Sequence, residues 1–379
     1  MFSFRTTPLD RQEDVVLRKG RLGVLCNQSA WNPETGEYLF ESLSRRGNLK
    51  KIFYPASGIF GELDADFTPL SGNYSCMGLS DCEFVPLQTG APLNAALVGD
   101  IDALIVEYQD TGSRYDSMTA LLHDIFRVID SGTLPVSVYV LDRENICGRW
   151  VEGTAVEGIT HRHGLTVGEL ANLFYSELGA RFPLHIISYM VRPANQYLMP
   201  WSIPPRPDVP GLFTASFYCG MVLLSGTDLS YGDGTSRPYE LFGAPYMERY
   251  LSQADVSGFS DAGVFLRKTV FTPRFGRYKD EVCFGFQMLP RPGVPYHSTA
   301  HALRIMRQLV ADGLPVDTSG FRSVAGDDVM DSYVKGVATW TDLKEHIKVE
   351  EQKWIRKARR YMLYDEQLVR VKTFRTINN

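Results

Sequence analysis

The sequence predicts an α/β protein built on a Rossmann-like parallel sheet, and the pattern of its first 150 residues carries this prediction. Short apolar runs alternate there with helical stretches, which is the order of a parallel sheet with right-handed crossover helices. At least one of these runs is apolar almost throughout, as expected for a strand that is buried on both faces. A chain of 379 residues is also long for one hydrophobic core, so a second domain is expected.

Four strands are expected in this N-terminal part. The first two are Leu22–Cys26 and Leu49–Tyr54, with a helix between them from about residue 34 to residue 46. The third strand, Asp102–Tyr108, precedes a helix whose apolar residues recur at i, i+3, i+4 and i+7 and so form one buried stripe. Pro135–Leu141 supplies the fourth strand.

The second half of the chain predicts an auxiliary α/β domain. Thr166 and Glu169 have the spacing of a capping box, so a helix should begin there. Residues 200–210 contain five prolines, which exclude a helix or a central strand and favour an extended segment. A last helix is expected from about residue 341 to residue 363. We therefore expect one domain over residues 1–160 and a second over 161–379, with a cleft between them.

Composition excludes several classes of protein. With 39 basic and 44 acidic residues the net charge is −5, so no nucleic-acid partner is expected. The longest apolar runs are shorter than the roughly 20 residues that span a bilayer, so no membrane insertion is expected. The first residues lack the apolar core of a signal peptide, which favours the cytoplasm, or the periplasm if a leader has been removed.

No cofactor and no metal is expected either. A dinucleotide fingerprint, G-x-G-x-x-G, does not follow the first strand, and the sequence contains neither a P-loop nor a G-x-S-x-G nucleophile elbow. The six cysteines lack the C-x-x-C spacing of zinc or redox sites. His297 and His301 have i, i+4 spacing, but no third ligand is apparent.

Polar loops follow the predicted strands, and parallel α/β sheets bind their ligands at that edge. Their shared position predicts one common site. Asparagine and aspartate also close turns and cap helices, and this simpler interpretation stays open for each residue alone. The residues concerned are Ser57, Glu62 and Asp64 after the second strand, Asp110 and Arg114 after the third, and Asp142, Arg143 and Asn145 after the fourth.

An ordered series of motifs resembles one bacterial family. The family was long catalogued as a domain of unknown function, and its characterised members are exo-β-N-acetylmuramidases, which release N-acetylmuramic acid from the non-reducing ends of peptidoglycan fragments. The resemblance implies a Rossmann-like domain and an auxiliary α/β domain with the sugar cleft between them. The motifs are Gly20–Asn27, Gln109–Tyr115, Val140–Asn145, Val151–Gly153, Arg162–Ala171, Gly226–Ser230, Gly234–Pro238, Gly243–Pro245 and Phe271–Cys283.

Two positions depart from the family pattern. The loop after the second strand usually reads Pro-Glu-His-Gly in this family, with that Glu the leading catalytic candidate, whereas Ala56 and Ser57 stand here. Alanine can neither donate a proton nor act as the second carboxylate of a glycosidase. In the later glycine-rich loop, Tyr231 and Asp233 replace a family Glu and Arg.

Other residues could take over the chemistry. The candidates for catalysis are Glu62, Asp110, Asp142 and His163. Arginine binds carboxylates through two parallel hydrogen bonds, so the arginines among the expected binding residues suit the lactyl carboxylate of the sugar that the resemblance implies. The expected binding residues are Ser57, Asp64, Arg114, Arg143, Asn145, Glu152, Arg162 and Arg237.

The resemblance implies a glycoside hydrolase of the exo-β-N-acetylmuramidase type that acts on, or binds, peptidoglycan fragments ending in N-acetylmuramic acid. Its partner would be a peptidoglycan-derived sugar or muropeptide. Three alternatives remain open from the sequence. They are a sugar-binding protein that has lost catalysis, a glycosidase of altered substrate that uses Glu62 or Asp110 as its acid, and a structural or scaffold protein with an empty cleft.

Overall fold

The computed structural model describes residues 9, 12, 14–32, 35–62, 74–79, 81–188, 203–255, 261–291 and 293–371. Within these ranges, none of the helices combines the length and the apolar character that a membrane crossing would need.

A fully parallel sheet forms the N-terminal part, as the sequence predicts, but it has six strands where four were expected. The strands are β1 (Leu22–Cys26), β4 (Leu49–Pro55), β5 (Glu83–Leu87), β6 (Ala103–Glu107), β7 (Ser137–Asp142) and β10 (Leu184–Ser188). They run in the spatial order β5-β4-β1-β6-β7-β10, which is the doubly wound order with the reversal between β1 and β6.

Both faces of this sheet are covered, because its central strands are buried along their whole length. On one face α3 (Ser117–Ser131) and α4 (Val167–Leu178) pack over Leu104 and Val106. On the other face α1 (Val15–Lys19) and α2 (Leu39–Arg45) cover Ile52 and Ile105. The two apolar layers hold the carboxyl ends of the strands at one edge.

The four predicted strands are confirmed to within two residues, but the first predicted helix begins too early. A short hairpin of β2 (Trp31–Asn32) and β3 (Glu37–Tyr38) comes before α2. The helix begins only after Tyr38, whose backbone N–H donates to the Glu41 carboxylate at 2.7 Å. The predicted capping box is confirmed, with Thr166 as the N-cap of α4.

Two strands of the sheet were not predicted from the sequence. β5 and β10 are the edge strands, and their patterns mix polar and apolar residues because each has one strand neighbour. β10 also lies past residue 160, where the boundary between the domains is expected. The layered N-terminal unit therefore takes its last strand from beyond that position.

A second, three-stranded sheet links the two halves. It is built of β8 (Trp150–Val156), β9 (Ile159–Arg162) and β14 (Val369–Arg370), in the order β14-β8-β9. β14 pairs parallel to β8, so the far end of the chain returns to the N-terminal half.

The C-terminal half places helices on a small antiparallel sheet. Its core includes Phe217, Phe242, Phe286, Met306 and Phe321, all fully buried. The sheet has the order β11-β13-β12. The elements are β11 (Leu241–Ala244), β12 (Val264–Phe271), β13 (Cys283–Pro290), α5 (Leu212–Met221), α6 (Glu248–Gln253), α7 (Ser298–Ala311), α8 (Phe321–Ala325), α9 (Asp328–Val334) and α10 (Trp340–Ala358), with short 3₁₀ turns at Tyr74–Met77, Ala95–Leu97, Val222–Gly226 and Pro245–Met247.

Candidate active site

Two layers of polar residues lie at the carboxyl edge of the parallel sheet. The inner layer is buried between the domains and holds most of the residues that the sequence nominated. The outer layer reaches solvent, where the loop after β4 meets a segment of the C-terminal half.

Asp110 and His163 form a buried pair in the inner layer. Asp110 Oδ2 accepts the Thr119 hydroxyl at 2.7 Å, and Oδ1 lies 3.4 Å from His163 Nε2. His163 Nδ1 accepts the backbone N–H of Leu165 at 3.1 Å, so its ring proton belongs on Nε2, facing the aspartate. His163 is fully buried and Asp110 is 1% exposed. A substrate cannot reach either group without opening the interior.

Asp142 is occupied by the start of α4. Its carboxylate accepts the Gly168 N–H at 2.7 Å, the Thr166 hydroxyl at 2.8 Å and the Tyr364 hydroxyl at 2.7 Å. Burial raises the pKa of Asp142 to about 6, although these three hydrogen bonds oppose the rise. Asn145 is likewise used locally, since it donates to the Leu165 carbonyl and accepts the Cys147 N–H, both at 2.8 Å. Both side chains fix the loops that surround them.

Arg143 and Arg114 also hold backbone in place. Arg143 pairs with the buried Glu107 at the end of β6 and donates to the Ser29 carbonyl at 2.8 Å. Burial raises the pKa of Glu107, and the charge of Arg143 opposes that rise. Arg114 donates to the Thr154 carbonyl at 3.1 Å and, across the domain boundary, to the Ala325 carbonyl at 2.6 Å.

Glu152 and Arg162 make a buried ion pair where β8 and β9 meet α7. Arg162 Nη1 lies 2.9 Å from Glu152 Oε1, and the two side chains are 5% and 0% exposed. The other carboxylate oxygen accepts the Ser298 hydroxyl at 2.9 Å and the Thr299 N–H at 3.1 Å, at the positive end of the α7 dipole. Arg162 also donates to the Ser216 carbonyl at 2.6 Å. The pair ties the two halves together.

Glu62 lies in the outer layer and is exposed. Its Oε1 accepts the Tyr74 hydroxyl at 2.7 Å, and its Oε2 accepts the Phe60 N–H at 3.0 Å. The carboxylate folds back over Gly58, where an added Cβ would stand 2.2 Å from Oε2, and Gly58 has φ +93°. The positive φ favours glycine at this position. The carboxylate thus lies beside the exposed Ser57, while Asp64 falls outside the described residues.

A proline-rich segment of the C-terminal half, residues 203–210, packs against this loop. A Cβ added to Gly61 would stand 2.5 Å from Pro207 Cδ, which shows how closely the proline ring approaches the backbone of this loop. Gln28, after β1, donates to the Pro204 carbonyl at 2.8 Å. The segment therefore spans the loops that follow β1 and β4, next to the point where the strand order reverses.

Arg206 and Asp208 flank Pro207 and form a bidentate ion pair, with N–O distances of 2.9 and 2.5 Å. Their side chains are 34% and 35% exposed. Tyr218 accepts from Arg206 Nη1 at 3.1 Å, and the Tyr239 hydroxyl donates to Asp208 at 3.0 Å. Tyr231 stacks on Tyr239, with ring centroids 5.4 Å apart. Tyrosines thus hold a charged pair at the surface, on either side of the proline that packs against Gly61.

Arg237 does not join either layer. It is exposed, pairs with Glu240 at 2.9 Å and lines a groove of about 350 Å³ on the antiparallel sheet. Every residue that lines this groove comes from the range 234–287, in the C-terminal half.

Models of the exo-β-N-acetylmuramidase NamZ family match this chain in two parts. The N-terminal model covers residues 22–212 and the C-terminal model covers residues 216–364. The chain belongs to this family. The family resemblance drawn from the ordered motifs is confirmed.

Individual relatives agree with the family assignment. The peptidoglycan β-N-acetylmuramidase NamZ of Bacillus subtilis is 22% identical over 380 residues, covering 92% of this chain and 88% of the relative. Among solved structures, a DUF1343 family protein of Bacteroides fragilis has a TM-score of 0.73 at 19% identity, with 95% of this chain and 98% of that chain covered. A second one from the same organism has a TM-score of 0.69 at 18% identity, with 95% and 99% covered. The two structures share this fold.

Arg206 and Asp208 are the outer-layer residues that sequence reasoning missed. The proline count of residues 200–210 indicates only an extended crossing, and the family motifs quoted above do not include this segment. The available signal was the charged pair itself, since an Arg and an Asp two residues apart stand in an otherwise uncharged stretch. Its meaning depends on contacts with Tyr218 and Tyr239, which lie 12 and 31 residues further along the chain.

Proposed function

We propose that this chain is an exo-β-N-acetylmuramidase-like glycoside hydrolase that acts on peptidoglycan fragments ending in N-acetylmuramic acid. Family membership alone does not say which residues act, and the outer layer supports the proposal further. Glu62 and Asp208 come from opposite halves of the chain, on segments that are in direct contact there. Glycoside hydrolysis ordinarily uses two carboxyl groups that flank the scissile bond. Glu62 and Asp208 are two solvent-accessible carboxyl groups that could meet this requirement together.

The surroundings of the two groups suit different roles. Glu62 is exposed and lies on the loop where the family usually carries its Glu, so we assign it the role of proton donor. Asp208 accepts hydrogen bonds from Arg206 and Tyr239, which hold its carboxylate in one orientation. It would serve as the base or the nucleophile, depending on the separation of the two groups in the complex. Separations of about 5 Å and about 6.5–9.5 Å correspond to retention and inversion.

The position of Ala56 favours a second candidate function. The family's usual Glu is missing there, at the end of β4, and Ala56 is followed by Ser57 instead of His. A chain that binds the same sugar without hydrolysing it would account for this departure. The two functions differ in turnover and agree in sugar binding.

A chromogenic N-acetylmuramic acid β-glycoside separates these candidates. Glu62→Gln should lower kcat by about 10²-fold or more, the usual contribution of a positioned general acid. The matched control is Glu345→Gln, an exposed glutamate on α10 that pairs with Lys348 at 2.9 Å, and it should retain wild-type turnover. Asp208→Asn should be impaired as well.

Each outcome of this assay decides something. Wild-type turnover in Glu62→Gln removes this residue from the mechanism. Absence of turnover in the wild-type protein, with the sugar still bound in calorimetry, establishes the binding protein. Neither turnover nor binding would overturn the proposal as a whole.

A further inference from the structure

The outer layer contains one basic side chain whose remaining hydrogen-bond donors are directed to no described partner. Four arginines were expected to receive a sugar carboxylate, and the structure uses them elsewhere. Arg143 and Arg162 are buried ion-pair partners, Arg114 binds backbone carbonyls, and Arg237 lies on another surface. Arg206 differs from all four in its place, because it lies in the outer layer.

Arg206 carries five N–H groups, of which three are used within the part of the chain that the structure describes. Nε and Nη2 donate to Asp208, and Nη1 donates to the Tyr218 hydroxyl. One N–H remains on each terminal nitrogen, the number that a bidentate carboxylate requires. The guanidinium is held in place before any ligand arrives. Asp208 fixes one edge of it, and the Cζ atom of Arg206 lies 5.6 Å from the centroid of the Tyr218 ring.

The position of Arg206 places it in the proposed active site. It precedes Pro207, which contacts Gly61, the residue before Glu62. It also acts on the loop after β6, since burial and the neighbouring Asp110 raise the pKa of Asp116 while the charge of Arg206 opposes that rise. Arg206 thus lies near the loop that carries the proposed acid and near Asp116 in the loop after β6.

We propose that Arg206 is the residue that selects the sugar, by binding the ether-linked carboxylate that distinguishes N-acetylmuramic acid from N-acetylglucosamine. This assignment rests on the proposed function. Beyond that function, it identifies the side chain that determines which hexosamine the site binds. Asp208 keeps its edge of the guanidinium in the complex and orients the remaining donors toward the ligand carboxylate.

Calorimetry with the two free sugars and the full chain tests the assignment. The wild-type protein should bind N-acetylmuramic acid about ten- to hundredfold more tightly than N-acetylglucosamine, the effect of one charge-assisted contact. Arg206→Gln should lower affinity for N-acetylmuramic acid to the level of N-acetylglucosamine and leave affinity for the latter unchanged. Retained binding of N-acetylglucosamine also reports that the variant is folded.

Two further variants sharpen the result. Arg206→Lys keeps the positive charge but loses the planar guanidinium that makes two parallel hydrogen bonds, so it should retain only part of the preference for N-acetylmuramic acid. It replaces Arg206→Gln as the test if the latter does not fold. Arg237→Gln is the matched control, because it removes an exposed arginine from the other surface, and it should discriminate like the wild type.

The two proposals fail in different ways. Wild-type discrimination that persists in the Arg206 variants overturns the role of Arg206 and leaves the muramidase-type site intact. A wild-type protein that binds both sugars equally, or neither, overturns the proposed function and this inference with it.

Discussion

Replacing Arg162 by Met tests whether the buried ion pair with Glu152 is structural or part of a ligand site. The substitution keeps most of the volume of the side chain and removes its charge. Glu152 would then be a carboxylate with 0% exposure and no cation at 2.9 Å. Breaking a buried ion pair from one side costs about 3–5 kcal/mol, because the remaining charge stays buried without its partner.

The structure places the expected value near the lower end of that range. The Ser298 hydroxyl and the Thr299 N–H still bind Glu152 Oε2, and the dipole of α7 still favours its negative charge. We therefore expect Arg162→Met to lower the free energy of unfolding by about 3 kcal/mol. Adding Glu152→Gln should recover part of this loss, since the double variant contains no unpaired charge.

Urea-induced unfolding of the wild type, the two single variants and the double variant gives the coupling energy directly. Arg237→Met is the control, because its exposed pair with Glu240 should contribute less than about 1 kcal/mol. The structural assignment is refuted if Arg162→Met loses less than 1 kcal/mol of stability and instead weakens sugar binding. That result would indicate that Glu152 and Arg162 bind the sugar, as the sequence predicts.

Two other predictions concern pH dependence and packing. His346 Nε2 bonds Asp327 Oδ2 at 2.7 Å; this bond raises the pKa of His346, and although burial alone would raise the pKa of Asp327, the bond lowers it. Because its pKa is raised, His346 stabilises the fold at low pH, and this contribution is lost as pH rises through the folded pKa of the histidine. Because its pKa is lowered, Asp327 contributes stability that is lost as pH falls through the folded pKa of the aspartate. A double-mutant cycle of the two residues should therefore give a coupling energy of about 0.5–1 kcal/mol between pH ~4 and ~6.5 and no coupling at pH 9. A coupling that is equal at pH 5 and pH 9 would contradict this. Gly220→Ala should destabilise the protein by about 1–3 kcal/mol in thermal unfolding despite the better helix propensity of alanine, because the new Cβ would stand 2.1 Å from the Ser298 carbonyl oxygen. Gly211→Ala at the start of the same helix meets nothing within 4 Å and should be nearly neutral.

The features predicted correctly from the sequence are those encoded by neighbouring residues. β1 has the bounds that its apolar run indicates, and the capping box of Thr166 and Glu169 starts α4 as expected. The stripe after β6 becomes α3, with its apolar residues buried. Short-range periodicity and capping determine such elements, so one sequence is enough to find them.

The functional assignment of individual side chains could not be predicted in the same way. A carboxylate after a β-strand can bind a ligand or cap a helix, and Asp142 looks the same in sequence for both roles. What separates them is a partner such as Tyr364, which lies 222 residues away. The same holds for Arg162, whose contact with Ser298 joins residues 136 positions apart. Long-range pairing decides these roles.

The return of the chain to β8 has a consequence for the order in which the protein can be completed. Trp354, Ala358 and Leu368 pack into the same apolar layer as α3 and α4, and β14 adds the outer strand beside β8. Trp354 also donates its indole N–H to the His163 carbonyl at 2.9 Å. Because translation delivers these residues after α3, α4 and the strands that they cover, the N-terminal half must wait for them with part of its apolar surface uncovered. The first half to be synthesised is therefore among the last parts to be finished, and a nascent chain that stalls before Trp354 would expose that surface to chaperones and proteases.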